Sequence, residues 1–181
     1  TAIAVQAARA TRVGHPSDPQ ATIGPVATKA QFEKVQRLIG EGIASGARLV
    51  VGGLGRPAGL DRGWFVQPTV FSDVDPSTSI AREEIFGPVL SVIRVKDFAE
   101  ALEVANDTPY GLAAYLFTSD LDKARAVARR LRAGSVHING AGQGYMEPFG
   151  GFKQSGNGRE CGSYGLLDFL ELKSINGFYA A

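Results

Sequence analysis

The stretch that decides the fold is residues 89–139, VLSVIRVKDFAEALEVANDTPYGLAAYLFTSDLDKARAVARRLRAGSVHIN. Three short runs in it predict strands, at Val89–Val95, Leu112–Phe117 and Ser135–Asn139. An amphipathic helix is predicted between each pair of runs, and the connections are short. Strands and helices that alternate in this way indicate right-handed crossovers and a parallel sheet covered by helices on both faces. The sequence therefore predicts an α/β fold.

Both predicted helices begin at a capping residue. Asp97 is followed three residues later by Glu100, which is typical of a helix N-terminus. Ser119 or Asp120 caps the second helix, and Gly134 ends it. These signals place the helix boundaries independently of the apolar pattern.

The chain before this stretch predicts further regular structure. Residues Thr1–Thr11 form the tail of an Ala-rich helix, and a longer helix covers Thr28–Ser45. In the longer helix, Thr28 and Gln31 form a capping box, in which each side chain satisfies a free amide of the first turn. The apolar face of this helix consists of Phe32, Val35, Leu38, Ile39 and Ile43. Two strands are predicted after it, at Arg48–Gly52 and Phe65–Phe71.

An acidic turn lies immediately before the strand at residue 89. Glu83 and Glu84 are adjacent carboxylates, and Gly87-Pro88 ends the helical turn that they are predicted to occupy. Charged side chains at the end of a buried strand commonly face a ligand in α/β proteins. The alternative is a solvated acidic turn without a function.

Composition excludes several classes of function. The 181 residues suit one domain, and the formal net charge of +1 comes without a dense basic block, so nucleic-acid and anionic-membrane binding lack an electrostatic basis. No apolar run has the length of a membrane span. The single cysteine, Cys161, forms no internal disulfide and agrees with a cytoplasmic location. With His15 and His137 it makes no metal-ligand set, so no metal is expected.

Four motifs resemble the aldehyde dehydrogenase superfamily. They are GWFVQPT at residues 63–69, EEIFGPV at 83–89, TPYGL at 108–112 and PFGGFKQSGNGRE at 148–160, in the expected order. The resemblance implies that residues 1–168 are the C-terminal part of the catalytic domain, with a parallel, Rossmann-like sheet. It also implies that residues 169–181 are an oligomerisation strand and tail. Because the chain begins at Thr1 rather than Met, we expect a fragment.

The resemblance implies the oxidation of a small-molecule aldehyde to an acid with NAD or NADP. The family forms a thiohemiacetal and then a thioester on a cysteine that would lie upstream of this chain. Cys161 stands at another position and is expected to be a packing or partly buried thiol, so the chain alone is expected to be inactive. The alternative is a non-catalytic assembly or interaction module that keeps the fold.

The resemblance also assigns roles to particular residues. Glu84 matches the glutamate that binds the nicotinamide ribose hydroxyls, and Phe86 matches the aromatic residue beside that ring. Phe149 matches a wall of the aldehyde channel. Tyr145 and Met146 fall in the loop that shapes substrate choice.

The remaining expectations come from the end of the chain. Glu160 matches a buried glutamate implicated in proton relay. The segment Glu171–Asn176 resembles the strand that joins subunits, which implies a homo-oligomer, either dimer or tetramer. Structural alternatives remain: Phe86 and Phe149 could belong to the core, and Glu160 could pair with Arg159 or another base.

Overall fold

The computed structural model describes residues 1–177 and contains two compact units, Thr1–Lys96 and Asp97–Ala181. Each unit has its own small sheet and its own helices. The domain boundary predicted between residues 168 and 169 is a functional division and stays a prediction. Within residues 1–177, no helix combines the length and apolar character that crossing a membrane requires.

The first unit is a mixed sheet with three helices. Its elements are, in chain order, α1 (Ala2–Ala10), α2 (Lys29–Ala44), β1 (Arg48–Val51), β2 (Thr69–Ser72), α3 (Ser79–Arg82) and β3 (Val89–Ser91). The strand order is β1-β2-β3, in which β1 is antiparallel and β3 parallel to β2. The predicted helices at residues 1–11 and 28–45 are confirmed.

Helix α2 is held in place by an apolar stripe. Val35, Leu38 and Ile39 are completely buried and belong to the same core cluster as Phe71 of β2. Each buried aliphatic side chain of this size contributes roughly 1.5–3 kcal/mol relative to exposure. Ile43, the last predicted member of the stripe, is 43% exposed. The burial of α2 is thus concentrated in its middle turns.

The cap of α2 is confirmed only in part. The Thr28 hydroxyl accepts a hydrogen bond from the backbone N–H of Gln31, at 3.1 Å. The Gln31 side chain does not complete a capping box, because its amide nitrogen donates to carbonyls near residue 85 instead. The prediction that Gln31 caps the helix is therefore wrong, and its side chain is engaged in a long-range contact.

The second unit contains a parallel pair of strands and three α-helices. Its elements are α4 (Phe98–Asn106), β4 (Ala113–Leu116), α5 (Leu121–Ala128), β5 (Ser135–Ile138) and α6 (Gly162–Leu167), with a 3-10 turn at Lys153–Ser155. Asp97 accepts a hydrogen bond from the N–H of Glu100, and Asp120 accepts one from Lys123, both at 2.9 Å. Both predicted caps are confirmed, and Asp120 rather than Ser119 caps α5.

The prediction of one parallel sheet across residues 89–139 is wrong in its extent. Strand β3 pairs with β2 of the first unit, whereas β4 and β5 form a separate parallel pair. The backbone N–H of Thr69 donates to Pro88, and that of Val92 donates to Phe71. The β–α–β pattern predicts the elements correctly but carries no information about which strands pair. The partner of β3 lies outside the stretch that showed the pattern.

Several predicted strands are also longer than the observed ones. Phe65–Phe71 begins as a strand only at Thr69, and Val89–Val95 ends at Ser91. Residues 171–177 form neither strand nor helix, and they are exposed. Because a joining strand pairs with a neighbouring subunit, the oligomerisation strand at 171–176 stays a prediction. The tail predicted to follow it reaches residues 178–181, which lie outside the described residues.

Glycines allow a close approach of two segments in the second unit. A Cβ atom built on Gly134 would lie 1.6 Å from the carbonyl oxygen of Gly150. The loop that contains Gly150 is also bonded to residues 106–111: the N–H of Phe152 donates to Gly111, and the Lys153 ammonium donates to Asn106 and Thr108. The position of this loop therefore depends on residue 134 being a glycine, which has no side chain.

We predict that Gly134→Ala destabilises the protein by about 3 kcal/mol or more, because the methyl group and the Gly150 carbonyl cannot both keep their positions. The control is Gly142→Ala, since a Cβ at Gly142 would meet nothing within 4 Å. The control should change stability by less than about 0.5 kcal/mol. Denaturant titration of both variants measures the difference, and equal stability would contradict the close approach.

Candidate functional site

The acidic turn, residues 83–87, connects α3 to β3. Helix α3 ends at Arg82, and Glu83 already has an extended backbone with ψ 140°. The two carboxylates therefore follow the helix and do not occupy it, contrary to the prediction. Ile85 is buried, whereas the Glu84 side chain is exposed and Phe86 is 70% exposed. Ile85 thus anchors the turn, and the residues on either side of it, Glu84 and Phe86, are exposed.

Phe86 has an unusual backbone conformation. Its φ of +54° lies in the left-handed region, which non-glycine residues rarely adopt and which persists where surrounding contacts hold it. Its 70% exposure excludes the alternative that Phe86 is a core residue of this chain. Strained backbone conformations of this kind cluster at functional sites, which makes Phe86 a candidate ligand-binding residue.

Helix α2 supplies the contacts that hold the turn. The side-chain nitrogen of Gln31 donates to the carbonyls of Ile85 and Phe86, at 2.8 and 2.9 Å. The Lys34 ammonium donates to the carbonyl of Glu84 at 2.6 Å and lies 5.6 Å from the centroid of the Phe86 ring. Three consecutive carbonyls of the turn are thus bonded to two side chains of one helix.

The two adjacent glutamates differ in their partners. A guanidinium nitrogen of Arg37 lies 3.3 Å from the carboxylate of Glu83. Hydrogen bonds to Glu41 and then to Glu83 raise the pKa of Arg37, so this cation keeps its charge. Among the described residues, no ion pair engages the carboxylate of Glu84. Glu84 therefore keeps both oxygens available as hydrogen-bond acceptors.

Sequence reasoning missed Gln31 and Lys34 as members of this site. They lie with Arg37 at positions i, i+3 and i+6 of α2, which places all three side chains in one row along the helix. The sequence does show a row of polar residues beside the apolar stripe of α2. It does not show which distant segment of the chain this row contacts.

The second candidate site is the loop of residues 140–165, in the other unit. Phe149 and Glu160 form an isolated antiparallel bridge, in which each N–H donates to the other's carbonyl at 2.8 and 2.7 Å. Arg159 donates to the carbonyl of Gly151 at 2.9 Å. The guanidinium also lies 5.5 Å from the centroid of the Phe152 ring. Phe149 and Glu160, two predicted site residues that are eleven positions apart in the sequence, are thus direct neighbours.

Most of the predicted side chains in this loop are exposed. Tyr145 is 95% exposed, Met146 80% and Phe149 41%, which excludes a core role for Phe149 in this chain. Glu160 is also exposed, so the expectation of a buried glutamate is wrong for the chain as described. The alternative, that Glu160 pairs with Arg159 or another base, is not observed either. The Arg159 guanidinium donates to backbone carbonyls, and no ion pair within residues 1–177 involves Glu160.

Cys161 follows Glu160 and is exposed, with a left-handed backbone at φ +64°. The expectation of a packing or partly buried thiol is therefore wrong. Cys161 stands just before α6, and the next residue, Gly162, lies so close to Met146 that a Cβ would come within 2.2 Å of its carbonyl oxygen. Within residues 1–177, no three His, Cys, Asp or Glu side chains are grouped so as to hold a metal ion.

Comparison with known proteins identifies the family. The model of the aldehyde dehydrogenase family matches residues 1–175, and the chain belongs to this family. The 3-succinoylsemialdehyde-pyridine dehydrogenase of a Pseudomonas species is 53% identical over 166 residues, which are 92% of this chain and 35% of that protein. The resemblance that the four motifs carry is therefore confirmed.

Solved structures agree with the fold. A mutant of aldehyde dehydrogenase C from Pseudomonas syringae, in complex with NAD⁺ and octanal, superimposes with a TM-score of 0.96 at 51% identity, over 99% of this chain and 37% of that one. An aldehyde dehydrogenase of Mycobacterium tuberculosis complexed with NAD⁺ gives a TM-score of 0.92 at 45% identity, over 98% and 37%. The chain thus spans about a third of the length of the relatives it matches.

Proposed function

We propose that this chain is the C-terminal part of the catalytic domain of an NAD-dependent aldehyde dehydrogenase, which oxidises a small-molecule aldehyde to a carboxylic acid. Family membership and the NAD⁺ complexes of similar proteins support the proposal. The observation that carries it is the acidic turn, where Glu84 and Phe86 are exposed while their backbone is bonded to α2. Such a turn can hold a ligand without moving.

The residues of the acidic turn fit a nicotinamide nucleotide. The Glu84 carboxylate has two acceptor oxygens and no ion-pair partner within residues 1–177, which suits the two hydroxyl donors of a ribose. Phe86 offers an exposed apolar ring two residues away. When bound, the dinucleotide supplies the hydride acceptor for aldehyde oxidation. The role of this chain is to bind and orient it.

The loop of residues 140–165 fits the aldehyde. Tyr145, Met146 and Phe149 present exposed apolar and aromatic surface, which suits an aldehyde with an apolar chain. The similar P. syringae protein was solved with octanal. Glu160 is bridged to Phe149 through the backbone, which supports a role for its side chain in proton relay beside this surface.

We propose that the nucleophile is a cysteine outside these 181 residues. Cys161 is the only thiol here, and it lies at a position that the family resemblance does not assign to the nucleophile. The second candidate function is a non-catalytic assembly module. It is favoured by exposed apolar side chains near the C-terminus, where Leu172 is 102% and Ile175 78% exposed among polar neighbours.

Glu84→Gln in the complete enzyme should raise the Kd for NAD about tenfold to a hundredfold, because it removes a charge-assisted hydrogen bond of roughly 1.5–3 kcal/mol. The matched control is Glu83→Gln, which loses only an exposed ion pair with Arg37. The control should bind NAD nearly as the parent does. Titration of NAD measures both, and equal effects of the two changes would remove Glu84 from the cofactor site.

Phe149→Ala should change the ratio of kcat/KM between bulky and small aldehydes more than it changes stability, because it removes one wall of the channel. Tyr115→Ala is the control, since Tyr115 is an exposed aromatic residue of β4 that stacks on His137. Kinetics with an aldehyde series, together with melting temperatures, tests this. An equal loss for all aldehydes that follows a lower melting temperature would contradict a role in the channel.

Deletion of the chain from Glu171 onward should convert a homo-oligomer into monomers or aggregates. The segment 171–176 exposes Leu172 and Ile175 in one chain, and we propose that it pairs as a strand with a neighbouring subunit, which would cover them. Light scattering gives the mass of each form. A stable monomer with the segment intact would contradict the proposed oligomerisation strand.

A further inference from the structure

We infer that Gln31 is the positioning residue of the acidic turn: its amide group fixes the backbone that presents Glu84 and Phe86. The inference rests on the proposed role of this turn in NAD binding. It adds a residue on a different element, 54 positions away from Ile85, which no motif in the sequence connects to the cofactor.

The contacts between α2 and the turn run in a regular antiparallel order. Gln31 contacts residues 85 and 86, Lys34 contacts residue 84, and Arg37 contacts residue 83. Three helical residues rise about 4.5 Å, and an extended chain rises about 3.3 Å per residue. Moving three residues forward along α2 therefore corresponds to moving about one residue backward along the turn.

Gln31 differs from the other two members of this row in what it bonds. Both N–H donors of a carboxamide are on one nitrogen, and that nitrogen lies 2.8 and 2.9 Å from two consecutive carbonyl oxygens. Consecutive carbonyls of an extended chain point in opposite directions. They can share one donor nitrogen because Phe86, at φ +54°, leaves the extended conformation.

The surroundings explain why this contact decides the conformation of Phe86. The left-handed region is unfavourable for an aromatic residue, so it needs external bonds to persist. Lys34 bonds the carbonyl of Glu84, before the left-handed residue, and a Cβ on Gly87 would lie 2.7 Å from Val35, after it. Among these contacts, only that of Gln31 reaches the carbonyl of Phe86 itself. Without it, the backbone of Phe86 loses the hydrogen bond that opposes a return to the extended conformation.

The test is Gln31→Glu in the complete enzyme that contains this chain. A glutamate has the same length, but it has no N–H donor and would face two carbonyl oxygens. The cap of α2 is unaffected, because Thr28 accepts from the backbone N–H of residue 31. The control is Gln36→Glu on the same helix, since Gln36 contacts Gly55 in another loop. Gln31→Met is a second variant of similar length without a charge.

Crystal structures and steady-state kinetics are measured for each variant. In Gln31→Glu and Gln31→Met, we expect Phe86 to leave the left-handed region and the KM for NAD to rise about tenfold, which corresponds to the loss of one to two hydrogen bonds. The KM for the aldehyde should stay at the parent value, and the melting temperature should fall by no more than about 5 °C, since one to two hydrogen bonds are lost. Gln36→Glu should match the parent in every measurement.

The outcomes separate the inference from the proposed function. An unmoved turn overturns the inference, whether the KM for NAD stays the same or rises, because a rise would then reflect a direct contact of Gln31 with the cofactor. A moved turn with an unchanged KM for NAD supports the positioning role of Gln31. The same outcome refutes the proposed role of the acidic turn in cofactor binding.

Discussion

The burial of one face of α2 is the constraint on which the first unit depends. Val35, Leu38 and Ile39 are completely buried in a core that also includes Phe71 of β2. This packing fixes the rotation of the helix about its axis, so the row that begins at Gln31 has only one place to lie. That place is beside the acidic turn. An apolar contact thereby determines where polar bonds form, and those bonds determine which side chains the turn exposes.

The second unit uses a different device for the same purpose. Its loop of residues 140–165 is positioned by close backbone approaches that only glycine permits, such as Gly134 against Gly150. Backbone bonds then join Phe149 to Glu160 and Phe152 to Gly111. Each unit has its own candidate site, in which the main chain is fixed by hydrogen bonds while the side chains proposed to meet a ligand remain exposed. This division suits a site that binds without rearranging.

Local signals in the sequence predict local structure well. Asp97 and Asp120 cap their helices as predicted, because capping depends on residues only three positions apart. Strand pairing was not predictable in the same way, since the partner of β3 is β2, some twenty residues earlier and outside the alternating pattern. The role of Gln31 was missed for the same reason. The capping-box motif accounted for the Gln31 side chain from its local sequence. That side chain instead bonds the carbonyl of Ile85, 54 positions away.

The candidate site was predicted by residue identity rather than by geometry. The motifs assign Glu84, Phe86 and Phe149, and the structure shows all three exposed. Exposure itself did not follow from the sequence. Glu160 and Cys161 were expected to be buried or partly buried, yet both are exposed. Their backbone is set by a bridge to Phe149 and by the left-handed conformation of Cys161 before α6. Neither feature has a periodic signature in a glycine-rich loop.

The most direct measurement of the central claim is a crystal structure of the complete enzyme with NAD bound. The account predicts that a carboxylate oxygen of Glu84 lies within hydrogen-bond distance of the nicotinamide ribose hydroxyls. It also predicts that the Gln31 nitrogen still bonds the carbonyls of Ile85 and Phe86. A structure in which NAD is fully ordered and its ribose contacts neither Glu84 nor any other residue of the acidic turn would contradict it.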